Sequence, residues 1–318
     1  MDYDYNSEFK DFIEVNIPSK FAITPINTYR NCPKQYFYDK ILKLKVCSGN
    51  KDDMSYGSAL HLAFEETIKK VMNERKYLTN EEALEVFNSK LKTLEITNPE
   101  GAKKSAGVNV FGAGVNKGVS ETNAKCFYDD FKALVNPKDI EPGAVYEKSP
   151  KTLDSTPTGK YRIYAEVPLD VKVNIDGKQV CLTGYVDRLD KNPDGTYTIY
   201  DYKTKENCED IPPSDNYFYQ MAFYKYVLEK QYGITVTKTC FILPIEKNGR
   251  HYMDTYYKMI TKKQNYGGVE YTCTNYEFSV EEIMNAIKNI LNGQFDEAEK
   301  PNCSYCGYKY LCKDRKLL

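Results

Sequence analysis

The chain has 318 residues, 41% of them hydrophobic and 28% charged, with a formal net charge of −1. That composition can bury a substantial core, in one elaborated domain or two small ones, and its balanced charge leaves any nucleic-acid contact to local patches. Apolar runs such as Thr239 to Pro244 fall far short of the roughly 20 residues a spanning helix needs, and the acidic opening Met1-Asp2-Tyr3-Asp4 is unlike a signal peptide, so a cytoplasmic protein is expected.

Taken in chain order, Thr24 followed by Pro25 reads as a helix start, with Thr24 as cap and a stop at Cys32-Pro33. A second short helix is expected over Lys34 to Leu42. Tyr56 to Met72 places Leu60, Phe64, Ile68, Val71 and Met72 at helical spacing and carries His61. Thr79 to Leu94 opens with a capping box, Thr79 and Glu82. Asn98 to Ser120 is glycine-rich and aperiodic, and reads as a mobile loop in a helical insertion spanning about 76–140. It lacks the Gly-Lys-Ser/Thr ending of a phosphate-binding loop, so no ATPase motor is read here.

From Tyr161 the pattern turns to strands: Ile163 to Leu169, Val171 to Ile175, Val180 to Leu189 and Tyr197 to Lys203, punctuated by Asp176-Gly177 and Pro193-Asp194-Gly195. A helix over Tyr217 to Gln231, a strand over Val236 to Pro244 and a helix opened by a capping box at Ser279 and Glu282 follow. The order predicts a single α/β domain over 1–318, a sheet flanked by helices.

The turn at Asp194 sets residues equidistant from it face to face, so Asp187 lies opposite Asp201, with Cβ atoms about 5 Å apart. Lys203, two residues beyond Asp201, falls on the same face. Two carboxylates so placed suit Mg²⁺ or Mn²⁺, which acidify a bound water and stabilise charge on a phosphate while a lysine orients that water. An ordinary salt-bridge cluster is the competing reading.

Gly184-Tyr185-Val186-Asp187-Arg188-Leu189-Asp190 followed by Ile199-Tyr200-Asp201-Tyr202-Lys203-Thr204 resembles the paired motifs of RecB-like PD-(D/E)xK nucleases. Gly57-Ser58-Ala59-Leu60-His61 resembles that family's upstream helix motif, whose histidine is a metal ligand. Tyr219-Gln220-Met221-Ala222-Phe223-Tyr224 resembles its downstream Q-x-x-x-Y motif, and Glu166 an additional acidic strand position. The resemblance implies a restriction-endonuclease-like core with a central mixed sheet. It implies a metal shell from His61, Asp187, Asp201 and Glu166, catalysis by Asp187, Asp201 and Lys203, and substrate contact by Gln220 and Tyr224.

In a cytoplasmic protein the ten cysteines read as reduced thiols, some of them ligands. Cys303-x2-Cys306-x5-Cys312 is a tight thiolate group, with Cys32 as the candidate fourth ligand, and the spacing suits a 4Fe-4S cluster or a Cys₄ zinc site alike. The arrangement resembles the iron-sulfur clasp of AddB-type and CRISPR-associated exonucleases, which implies the cluster, with 24–42 and 295–318 joined around it. Lys34, Lys40, Lys43 and Lys45, then Lys309, Lys313, Arg315 and Lys316, flank these cysteines among Tyr36, Phe37, Tyr38, Tyr305, Tyr308 and Tyr310, a mixture that suits single-stranded DNA or a solvated surface.

The expectation is thus a metal-dependent DNA exonuclease of repair, recombination or CRISPR-type processing, working on DNA ends or single strands, alone or beside a separate helicase or recombination protein. Few arginines, 29 tyrosines and no tryptophan fit an AT-rich bacterial or phage coding sequence. The rival is a catalytically idle DNA-binding or scaffolding subunit of the same fold.

Overall fold

The structure, a computed structural model, describes residues 16–45, 51–97, 136–202, 215–242, 253–254, 258–260, 273–296, 303 and 306–313. The expected glycine-rich loop at 98–120, Lys203, Tyr305, Arg315 and Lys316 lie outside the described residues. Strand β1 (Lys20–Phe21) leads into α1 (Ile23–Asn31) and α2 (Pro33–Tyr36), which continues as a π-helical turn over Phe37–Ile41. Helices α3 (Lys51–Glu74) and α4 (Asn80–Thr97) follow, then β2 (Glu147–Lys148), β3 (Arg162–Ile175), β4 (Lys178–Lys191) and β5 (Tyr197–Tyr202). Helix α5 (Asp215–Tyr232), β6 (Val236–Ile242), β7 (Met253–Asp254), β8 (Lys258–Ile260), β9 (Cys273–Asn275), α6 (Tyr276–Leu291) and α7 (Lys309–Lys313) complete the order.

Among the described residues, seven strands form one mixed sheet in the order β2-β3-β4-β5-β6-β7, with β1 alongside the far end of β4. The long β3–β4 ribbon and β4–β5 are antiparallel, whereas β2–β3, β5–β6 and β1–β4 are parallel. Helices cover both faces. Successive residues of a strand point to opposite sides, and Asp201 meets Gln220 of α5 while Tyr202 packs on Phe64 of α3, ring centroids 5.0 Å apart. The mixed α/β sheet flanked by helices agrees with the expected fold class. No helix among the described residues is long and apolar enough to cross a membrane.

Several local expectations need correcting. Helix α1 starts at Ile23 with Ala22 as its cap, which makes no side-chain capping bond, so Thr24 is not the cap. Burial of Ile23 and Ile26 draws the start forward, and Pro25 is tolerated because the first turn of a helix needs no N–H from it. The two strands expected on either side of Asp170 are one, since Asp170 N–H donates to Gln231 Oε1 of α5 without ending the ladder. Ser279 lies inside α6, fully buried, rather than opening it. The Thr79–Glu82 capping box is present in both directions, at 2.7 and 3.2 Å.

The β3–β4 ribbon changes phase partway along. Val180, Leu182 and Val186 of β4 join the hydrophobic core beneath α1, α5 and α6, but so does Leu189. On β3, Val167, Leu169 and Val173 join it, and so does Tyr164. A strict alternation would put Tyr164 and Leu189 on the other face. The change falls between the bonded pairs Ala165↔Arg188 and Val167↔Val186, where Glu166 takes φ of 47° opposite Asp187. A non-glycine residue in the left-handed region inside a strand is unusual, and such irregularities re-aim side chains near functional sites.

Candidate active site at the β4–β5 hairpin

The hairpin follows the register expected from its turn. Arg188 faces Tyr200, Leu189 faces Ile199 and Asp190 faces Thr198, and one further step places Asp187 opposite Asp201. The turn is fixed by Asp194, whose Oδ1 accepts from the N–H and hydroxyl of Thr196, and by Gly195. Gly195 has φ of 85°, and a Cβ there would stand 2.1 Å from the carbonyl oxygen of Ser155. Only glycine satisfies both constraints.

Both acids are held from more than one element. Asp187 Oδ2 accepts from the backbone N–H of Tyr202 at 3.0 Å, and its Oδ1 lies 3.5 Å from Nδ1 of His61 on α3. Asp201 is 2% exposed, so its carboxylate depends on protein partners, and Gln220 Nε2 donates to its Oδ1 at 2.9 Å. The same Nε2 donates to Tyr224 OH, also at 2.9 Å, as the i, i+4 spacing allows. Tyr224 is buried, and burial followed by the charge of Asp201 raises its phenol pKa. Gln220 therefore reaches the site by holding Asp201, and Tyr224 by accepting from Gln220.

Glu166 is half-buried beside these groups. Burial, then the charge of Asp187, holds its carboxyl above the usual glutamate range, while Lys148 acts in the opposite direction. Lys148 Nζ lies 2.9 Å from both carboxylate oxygens of Glu65, and Tyr146 OH donates to Glu65 Oε1 at 2.6 Å. Sequence reasoning missed Glu65, Tyr146 and Lys148. Glu65 sits four residues after His61 and so shares its helix face, a spacing that was available to find it. Lys148 and Tyr146 gave no such signal, because they arrive through the parallel pairing of β2 with β3.

The donor set of Asp187, Asp201, Glu166 and His61 is rich in hard oxygen atoms and fits a divalent ion of the Mg²⁺ or Mn²⁺ kind in chemistry. Among the described residues, however, no group of three or more His, Cys, Asp or Glu side chains is drawn together as a ready-made metal shell. That statement covers the four cysteines as well. Cys32, Cys303, Cys306 and Cys312 are of intermediate exposure and form no disulfide among the described residues. Cys32 Sγ caps α2, accepting from Gln35 N–H at 3.4 Å.

The chain ends nevertheless meet. Tyr29 OH donates to the Gln294 carbonyl at 2.6 Å, Tyr36 stacks on Phe295 with centroids 6.2 Å apart, and Tyr308 OH donates to the Leu44 carbonyl at 2.8 Å. This corrects the expectation of a base-stacking surface here. Tyr36, Phe37, Tyr38 and Tyr308 are spent in the core and Lys34 is buried with them, which leaves Tyr310 as the exposed ring among the described aromatics of that set.

Comparison with curated proteins finds no match. A solved structure titled "Crystal structure of SSO0001" aligns over 97% of this chain and 96% of that one, at 11% identity and a TM-score of 0.38, a likeness too slight to support an argument. The family model described as the PD-(D/E)XK nuclease superfamily matches residues 20–313, a span that contains the acids, His61, Gln220, Tyr224 and the cysteines alike. On that match, the chain belongs to the PD-(D/E)XK nuclease superfamily.

Proposed function

We propose that the chain is a divalent-metal-dependent deoxyribonuclease, an exonuclease acting on DNA ends or single strands in the cytoplasm of a bacterium or phage-infected cell. The observation that carries this reading is the meeting of Asp187 and Asp201 across one hairpin, with His61 against the first and Gln220 against the second. Asp187, Asp201, His61 and Glu166 would hold the metal, which supplies an acidified water and stabilises charge on the phosphate. Within the chain, Gln220 and the Tyr202 N–H fix the orientation of the two acids, so little reorganisation is left for the moment of reaction. Lys203 is assigned to orienting the water, as the next same-face residue after Asp201.

A 4Fe-4S cluster on Cys32, Cys303, Cys306 and Cys312 is proposed to tie the chain ends, with structural Zn²⁺ as its alternative. The docking of Tyr36 on Phe295 and of Tyr308 on Leu44 supports a junction at that place. A separate helicase or recombination protein is the proposed partner, and repair, recombination or CRISPR-type processing the setting.

The test is digestion of DNA labelled separately at each end, with Mg²⁺ or Mn²⁺, by protein purified anaerobically. Shortening from an end is expected, and Asp201→Asn and Lys203→Ala are expected to reduce it to background. Tight DNA binding with no cleavage would replace the nuclease reading with that of an idle binding subunit. Stoichiometric zinc without iron or sulfide would replace the cluster.

A further inference from the structure

Directly behind the acids, on the face toward α3, lies an ion pair that the proposed chemistry does not use. Arg188 is fully buried and Asp190 is 2% exposed. The guanidinium forks the carboxylate, Nε to Oδ1 at 2.8 Å and Nη2 to Oδ2 at 2.5 Å, and lies 4.7 Å over the ring of Tyr200. Burial works against the charge of Arg188, and Asp190 more than restores it. Replacing such a buried pair with apolar side chains of similar size is often neutral or stabilising, so stability alone is a weak reason for its presence.

Its surroundings give a better reason. Arg188 is the chain neighbour of Asp187 and pairs across the hairpin with Tyr200, so Tyr202, two residues further along β5, lies on the same face of the sheet as the guanidinium. The Tyr202 ring stands edge-on to His61, centroids 5.6 Å apart and planes at 77°, and packs on Phe64 beside it. The backbone N–H of the same tyrosine donates to Asp187 Oδ2. One residue thus touches both of the groups that α3 and β4 bring together.

We propose that Arg188 and Asp190 are positioning residues, which seat Tyr202 so that its ring fixes the His61 imidazole and its N–H fixes the Asp187 carboxylate. The inference rests on the nuclease reading for its kinetic consequence, and on geometry alone for its structural one. Strand spacing explains the pattern: Arg188 and Asp190 are two apart and share a face, whereas Asp187 belongs to the seam where the ribbon changes phase. The fork therefore grips the sheet from behind at the point where its alternation breaks.

The experiment uses the full chain and the double variant Arg188→Met/Asp190→Leu. The sequence contains two histidines, His61 and His251, so imidazole ring signals can be followed by NMR in metal-free protein. The expected result is a melting temperature close to that of the parent, a displaced set of His61 ring signals, and kcat on DNA lower by about 10–100-fold with KM unchanged, the size seen when partners behind a site's ligands are removed. Arg188→Lys, which keeps both charges and removes the planar fork, should move both readouts in the same direction and decides the question if the double variant does not fold. Unchanged His61 signals in a folded variant overturn the proposal, whether or not DNA affinity falls. Failure of the parent to cleave DNA would defeat the nuclease reading while leaving the His61 spectrum to decide this one.

Discussion

At the hairpin, the chemistry-bearing side chains are placed by strand register and then gripped individually: Asp187 by Tyr202 N–H and His61, Asp201 by Gln220. At the chain ends, the thiols ride on short segments joined by the rings of Tyr29, Tyr36, Phe37 and Phe295 and the hydroxyl of Tyr308, with Cys306 and Cys312 packed against the same core. The hairpin spends hydrogen bonds on orientation, whereas the ends spend apolar area on adhesion. A fault in the first should fall mainly on rate, and a fault in the second mainly on stability.

The largest effect is expected from Phe295→Ala, which empties the slot shared by three rings and should cost about 3–5 kcal/mol by denaturant unfolding. Catalysis by the protein that remains folded should be preserved, and equal losses of rate and stability would erase the contrast between the regions. Next, Gln220→Ala should lower kcat by about 10–100-fold and cost about 1–3 kcal/mol, less than Phe295→Ala, since it leaves the buried Asp201 carboxylate short of a donor without opening the core. Tyr308→Phe deletes one hydrogen bond between the ends and should cost about 1 kcal/mol, read from the same unfolding curves.

The smallest effect concerns Glu166. Because burial and Asp187 raise its folded pKa, the native state binds its proton more tightly than the unfolded chain does. In metal-free protein, stability should therefore fall as pH rises from the ordinary glutamate pKa through the raised one, and stay lower above it. Glu166→Gln should remove that fall, so the variant gains on the parent across this window and matches it below. Parallel stability profiles for the two proteins would show that Glu166 is not under strain.

Where one local rule governed, the sequence was legible. Asp194-Gly195 set the register of β4 and β5, Thr79 and Glu82 marked a helix start, and the spacing of Gln220 and Tyr224 put both on one face. The two-strand reading around Asp170 and the capping box at Ser279 failed because tertiary contacts, Gln231 in one case and burial in the other, overrode local preference. The left-handed turn at Glu166 carried no signal, since glutamate has no preference for that conformation. Lys- and Tyr-rich ends read as a solvated or DNA-facing surface, yet Tyr36, Phe37, Tyr38 and Tyr308 are buried, the last with a carbonyl partner for its phenol that lets the ring enter the core.

The phase change at Glu166 and Asp187 also governs how this protein can be edited. The ribbon beyond it, from Val167 through the Asp176-Gly177 turn to Val186, pairs residue for residue. Removing two residues from each strand there would shorten the ribbon and leave every remaining side chain on its own side, whereas removing one residue from a single strand would exchange the two faces. The acids sit at the hinge line of that exchange. A shortened hairpin transplanted into another sheet would therefore have to carry both residues of the seam to deliver the acids in their present orientation.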